Sequence, residues 1–177
     1  MNLVSSETHA GIKLIFKFHK LTKPNTNMNQ INFSIVQKEN EIEILRNRSG
    51  KYNDFTYTYE ESTLDLLKKN FSLPDSLYLI AKKNGEFVAF CSIDRDWWED
   101  NYFMIREIVV DPNFQKQGIG ETIMGKCINH AKEKGAVGVV TETAFENLPM
   151  QKLCAKFHFN KWNNPQWKDG VTYKLMF

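Results

Sequence analysis

The sequence contains few cysteines and no pair spaced to hold a metal. Cys91, Cys127 and Cys154 are odd in number, far apart in the chain and free of any C-x-x-C, and the four histidines are as scattered. That pattern excludes a zinc ribbon or a disulfide-stapled domain and points to a reduced compartment. No apolar run approaches the roughly 20 residues of a membrane span, and residues 12–21 are interrupted by Lys13, Lys17 and Lys20. A soluble, cytoplasmic protein is expected. An excess of one charge is missing as well: 23 Lys and Arg against 21 Asp and Glu leave +2. Neither nucleic acid nor an anionic membrane is therefore indicated as the main partner.

What is present suits one packed domain: 42% hydrophobic and 13% aromatic residues in a chain of 177. Residues 1–27 end in Thr-Lys-Pro-Asn-Thr-Asn, a breaker-rich linker, and read as a mobile or loosely docked arm; the alternative is an added strand over residues 13–18. The better-patterned domain is expected over residues 28–177.

The alternation of Ile31, Phe33 and Ile35 predicts a half-buried strand over residues 31–38, followed by a short helix at 41–46. Ser62 is the predicted cap of a helix that carries Leu64, Leu67 and Phe71 on one face and stops before Pro74. Strands over 77–82 and 87–94 are joined by Asn84-Gly85, a hairpin turn signal. Residues 94–100 form the next turn and 102–110 the next strand. A helix then runs to Gly135, a left-handed C-terminal cap, and 137–143 is a largely buried strand parallel to its predecessor. A short helix from Asn147 and Pro149, with Met150, Leu153, Cys154 and Phe157 on one face, precedes strands near 159–162 and 171–177. The fold class is mixed α/β.

The most informative stretch is Val109-Val110-Asp-Pro-Asn-Phe-Gln115-Lys116-Gln117-Gly118-Ile119-Gly120, a strand followed by a glycine turn that opens a helix. Free amides at a helix start point outward, the macrodipole adds partial positive charge, and glycine lets a phosphate approach the backbone. Two common phosphate motifs fail here. A dinucleotide fingerprint needs Gly or Ala where Ile123 stands, and a P-loop reading of Gly120 to Cys127 lacks the Ser or Thr that would hold magnesium. The apolar stripe Ile119, Ile123, Cys127, Ile128, Ala131 makes that second segment helix interior, with Lys126 solvated.

The spacing Gln115-x-x-Gly118-x-Gly120 resembles the acyl-CoA signature of the GNAT superfamily of N-acyltransferases. The segment Asn147-Leu-Pro149-Met150-Gln-Lys-Leu153-Cys154-Ala-Lys156-Phe-His158-Phe159 is similar, in register, to that family's N-x-P-A-x-x-L-Y-x-K-x-G-F. The resemblance covers residues 28–177. It implies a centrally splayed sheet flanked by helices, open between the strand ending at Val110 and the strand through Thr141. Acetyl-CoA would be the co-substrate. Its pantetheine arm would meet the backbone of Ile108, Val109 and Val110, and its pyrophosphate the amides of Lys116, Gln117, Gly118, Ile119, Gly120 and Glu121, with Gln115 in the motif. Asn147 is either a contact to the CoA arm or a helix N-cap, or both. A homodimer is common in the family. Three positions depart from the pattern: Cys154 replaces the Tyr placed to protonate the leaving thiolate, His158 replaces Gly, and Met150 replaces Ala. Cys154 reads either as a proton-sharing thiol or as a core residue.

Acetyl transfer to an amine needs a base, because an alkylammonium has a pKa of about 10.4. The resemblance offers two carboxylates. Glu142 occupies the base position of ribosomal-protein alanine acetyltransferases, and Glu107 lies on the splayed strand where small-amine acetyltransferases carry an acid. For either, the alternative is an exposed strand carboxylate or an ion pair, for Glu107 with its neighbour Arg106. The stretch Asp94-Arg-Asp96-Trp97-Trp98-Glu99-Asp100 mixes acids and large aromatics, so Trp97, Trp98, Glu99 and Asp100 are candidate ligands for a cationic amine through charge and cation–π contact. The expected acceptor is a polyamine or aminoglycoside-like small molecule. The rivals are a protein amine acceptor and a catalytically weak acyl-CoA-binding module. No metal is expected.

Overall fold

The computed structural model describes residues 30–46, 49–52 and 55–177. The predicted arm, its alternative strand and the domain start at Met28 lie outside these residues. A seven-stranded sheet has the order β1-β4-β5-β6-β7-β9-β8. Its strands are β1 (Ile31–Ile35), β4 (Leu77–Lys83), β5 (Glu86–Asp94), β6 (Tyr102–Val110), β7 (Gly138–Thr143), β8 (Asn160–Trp162) and β9 (Val171–Met176). Every neighbouring pair is antiparallel except β6 and β7, which run parallel. A parallel pair needs a crossover, and α2 (Ile119–Glu133) supplies it. The other helices are α1 (Glu61–Phe71) and α3 (Leu148–Lys156). A separate hairpin, β2 (Ser49–Tyr52) with β3 (Phe55–Thr58), precedes α1; no strand was expected there.

Two cores cover the two faces of the sheet. On one, α2 presents Ile119, Ile123, Met124, Cys127, Ile128 and Ala131 to Val88, Cys91, Ile93, Phe103, Ile105 and Val139. Each fully buried aliphatic here is worth about 1.5–3 kcal/mol. The other face packs α1 and a 3-10 helix (Glu39–Leu45) through Ile42, Leu45, Leu64 and Leu67 onto Tyr78, Ile80, Phe90 and Val109. Lys126 is exposed, as predicted, with its ammonium 5.2 Å from the Phe33 ring centre.

Local expectations hold where backbone chemistry dictates them. Asn84 and Gly85 both have positive φ, 52° and 83°, as the tight hairpin requires. Gly135 is left-handed at 71°, and the bonds Gly135 N to Lys132 O and Ala136 N to Ala131 O close α2 as a Schellman motif.

Other expectations are corrected. Ser62 does not cap α1; the helix starts at Glu61, held by a fork of bonds from Arg46, with Glu60 at the cap and no side-chain capping bond. Strand β1 stops at Ile35, which is exposed, and Val36 takes the buried place instead by dropping into the second core. The three cysteines are free and buried, in keeping with the expectation of no disulfide staple, and the sulfurs of Cys91 and Cys127 lie 3.7 Å apart.

Candidate active site

The pairing of β6 with β7 runs from Tyr102 opposite Gly138 to Ile105 opposite Thr141 and stops there. The Thr141 hydroxyl donates to the Ile105 carbonyl at the fork (3.2 Å). Beyond it β6 continues to Val110 paired with β5 alone, so its other edge faces a gap. At the same place β6 bulges: Ile93 faces Ile105 and Ser92 faces Glu107, leaving Arg106 as the extra residue. A bulge bends a strand and re-aims its side chains. Ile108 and Val110 pack toward the α2 face, whereas Val109 belongs to the core on the opposite face.

The gap opens into a cleft of about 290 Å³ lined by Ile108, Val109, Val110, Phe114, Gln115, Lys116, Gly118, Ile119, Gly120 and Glu121, with Asn147, Pro149, Met150 and Leu153 from the start of α3. Nearly every residue expected to hold acyl-CoA is in this wall; Gln117 is not. The turn at its end has two left-handed residues, Lys116 at φ 58° and Gly118 at φ 83°. For lysine that conformation costs about 1–2 kcal/mol, the sort of strain that clusters where backbone is shaped for a ligand. The first helical bond of α2 runs from Thr122 N to Gly118 O (3.0 Å), so the preceding amides remain outside the ladder at the helix start. Gln115 has a structural part, donating to the Val110 carbonyl (3.1 Å) and tying the turn to the strand end. Glu121, whose charge would oppose a phosphate there, is paired with Lys156 of α3 (2.5 Å). Asn147 caps α3, accepting from Met150 N (3.2 Å), while it lines the cleft.

The two candidate bases differ sharply. Glu142 accepts through one oxygen from Asn164 (2.7 Å) and Thr172 (3.1 Å). Glu107 is half-buried and takes one bond, from the Tyr59 hydroxyl (2.9 Å). Burial raises its carboxyl to about 7, with the Tyr59 bond opposing the rise. The alternative of an ion pair with Arg106 fails: that guanidinium turns to the buried Asp94 (3.2 Å) and to Asp96 (3.0 Å). Cys154 is fully buried, packs within the core and is absent from the cleft wall; burial pushes its thiol up to about 12.

The acidic aromatic stretch is also engaged internally. Trp97, Trp98 and Trp162 cluster with ring centres 5.5–6.4 Å apart, and the ammonium of Lys174 lies 3.5 Å from the Trp162 centre and 5.1 Å from that of Tyr102. Glu99 pairs with that same ammonium and accepts from the Trp97 indole (2.9 Å). Asp94 and Asp96 hold Arg106. Asp100 alone of the four acids makes no such bond, and it is exposed. Sequence reasoning missed Tyr59, Trp162, Asn164 and Lys174. A lysine at an otherwise buried position of β9 was the one available hint. Among the described residues no group of three His, Cys, Asp or Glu could hold a metal, and no helix is long and apolar enough to cross a membrane.

A model of the acetyltransferase (GNAT) family matches residues 44–159. The chain belongs to that family. A Bacillus subtilis protein proposed to be a ribosomal protein bS18-alanine N-acetyltransferase is 31% identical over 84 residues, 48% of this chain and 54% of its own length. The chain thus spans about half the length of that curated relative. Among solved structures, the ribosomal-protein-S18-alanine N-acetyltransferase of Escherichia coli matches with TM-score 0.63 and 16% identity over 82% of this chain and 93% of its own. A Bacillus anthracis protein proposed to be a streptothricin acetyltransferase, in complex with acetyl coenzyme A, matches with TM-score 0.61 and 19% identity over 83% and 99%. At these identities the solved structures speak for the fold: a mixed sheet, splayed at its centre and flanked by helices.

Proposed function

We propose that the protein is an N-acetyltransferase that moves acetyl from acetyl-CoA to a primary amine, with Glu107 as the general base. The observation that carries this reading is the forked β6. One face of its free segment walls a cleft ending at the start of α2, and beside it lies a carboxylate raised to about 7 with no cation on it among the described residues. The residues fit acetyl-CoA: the amides at the start of α2 and the left-handed turn suit a pyrophosphate, and the unpaired edge of β6 suits an amide-bearing arm. When bound, acetyl-CoA supplies the activated acyl group. Glu107 takes the proton of the attacking amine, at a pKa suited to work near neutral pH. The backbone of β6 orients the acyl carbonyl. Cys154, shut in the core, is given no proton to move.

The acceptor we favour carries a single ammonium. Asp94, Asp96 and Glu99 are already engaged by Arg106 and Lys174, which leaves exposed Asp100 as the acid of this stretch open to a ligand cation, too little for a polyamine or aminoglycoside. A protein α-amine is the second reading, and the likeness to the Bacillus subtilis protein favours it. Measuring CoA release on a panel of monoamines, peptides with free α-amines, spermidine and aminoglycosides tests both. Release on none of them, with acetyl-CoA bound, would leave the weak binding module instead.

A further inference from the structure

Resting on the assignment of Glu107 as the base, we infer that Tyr59 is a positioning residue for the reaction, its hydroxyl holding one oxygen of Glu107 so that the other faces the amine. Tyr59 stands between β3 and α1, 48 residues from its partner in sequence, with its ring buried at 8% exposure. Its hydroxyl donates to Oε2 of Glu107 at 2.9 Å, within the range of an O–H···O hydrogen bond.

The groups around Glu107 show why this one bond matters. From β4, the Tyr78 hydroxyl donates to the Leu67 carbonyl of α1 (2.8 Å) and is engaged there. From β5, Ser92 lies fully buried opposite Glu107, and Asp94 holds Arg106. On β6 itself Arg106 is turned away by the bulge. Among the described residues, then, no cation compensates the burial of this carboxylate, and Tyr59 is its hydrogen-bond donor. A donor to the charged form favours ionisation, and burial opposes it. With Tyr59 in place the balance lies near neutrality; without the hydroxyl, burial acts unopposed and the base stays protonated at higher pH.

The test uses the full chain with 13C-labelled glutamate carboxyls. The Glu107 signal is assigned by its absence in Glu107→Gln, and its titration is followed in the free protein. Tyr59→Phe keeps the ring and removes the bond, and its fold is checked by melting. The expected result is a titration midpoint clearly higher than in the unaltered protein. The acid limb of kcat/KM, measured with n-butylamine or with the best acceptor of the panel, should move with it, giving a loss of about tenfold at pH 6 and little loss at pH 9. A purely structural role would lower the rate equally at every pH. An unchanged midpoint in folded Tyr59→Phe overturns the inference. If that variant does not fold, Tyr59→Leu and Tyr59→Met fill the space without a donor, and an unchanged Glu107 midpoint in either folded variant overturns it equally. The base assignment fails by a different sign: Glu107→Gln retaining its rate and its acid limb, whatever Tyr59→Phe does to the titration.

Discussion

The two faces of the forked sheet are built on different principles. On the α2 face the site is made of backbone: unpaired strand edge, helix-start amides, and a left-handed glycine at the turn. On the α1 face it is made of side chains brought from distant positions, Tyr59 to Glu107, Arg106 to Asp94, Lys174 to Glu99. A backbone site needs a local sequence that permits the right turn, so it leaves a contiguous motif. A side-chain site needs only that the fold bring partners together. On the proposed function, the first face would take acetyl-CoA and the second would be free to vary with the acceptor.

The largest effect should follow from neutralising Glu107 on the second face. Glu107→Gln should lower kcat roughly 10²-fold or more while acetyl-CoA affinity stays within about threefold, since general-base help is worth about 10² to 10⁴. The unaltered enzyme should lose kcat/KM as pH falls below about 7, and the variant should lose that limb. Stability should move the other way. The folded carboxyl binds its proton up to about 7, above its ordinary 4.5, so the native protein loses stability as pH rises between those values. Glu107→Gln removes that slope, and melts at pH 5.5 and 8 read it. A variant that keeps its rate would break the contrast between the faces.

On the first face, Gly120→Val should weaken acetyl-CoA binding by roughly tenfold or more without unfolding, because valine in a helix costs below about 1 kcal/mol while the added methyls enter the cleft. A Cβ at this position meets Leu153 at 3.7 Å, an ordinary contact, so the branch beyond it is what intrudes. Calorimetric titration of the folded variant decides it, and unchanged affinity would move the phosphate site elsewhere.

Glu142→Gln sharpens the comparison from within the second face. Its oxygen already serves Asn164 and Thr172, and glutamine can accept the same two bonds. We expect a rate change under about tenfold, against the much larger loss at Glu107. Reversal of that order would make Glu142 the base.

Legibility followed the same division. The stripe on α2, the turn at Asn84-Gly85, the cap at Gly135 and the cleft wall from Ile108 to Glu121 are local facts, each fixed by period or by a backbone conformation that few residues adopt. The pairing of Arg106 with Asp94 rather than Glu107 depends on one bulged residue that shifts the facing of the strand, and nothing in the six neighbouring letters announces it. The sequence offers the tryptophans as candidate ligands for a cation or as cover for the sheet, and the cation against them is Lys174, 75 positions from Glu99 in sequence. The pair β2–β3 escaped because the letters between Tyr52 and Phe55 are Asn-Asp, without the glycine that signals a hairpin in sequence.

The smallest effect belongs to the end of α3, on the backbone-built face, where His158 stands in a place the family gives to glycine. It does adopt the left-handed conformation, at φ 63°, and the bonds His158 N to Ala155 O (3.1 Å) and Phe159 N to Cys154 O (3.0 Å) close the helix in the same way that Gly135 closes α2. Histidine is among the residues that tolerate this region, so the cost is modest. His158→Gly relieves it, but also gives the unfolded chain more freedom, and the two partly cancel. The net gain should be about 0.5–1 kcal/mol, a rise of roughly 1–4 °C in Tm for a chain of this size, with kcat and acetyl-CoA affinity unchanged. A drop in Tm would mean that the imidazole makes up for its strained backbone through contacts of its own, and the likeness between the two helix ends would then be one of geometry alone.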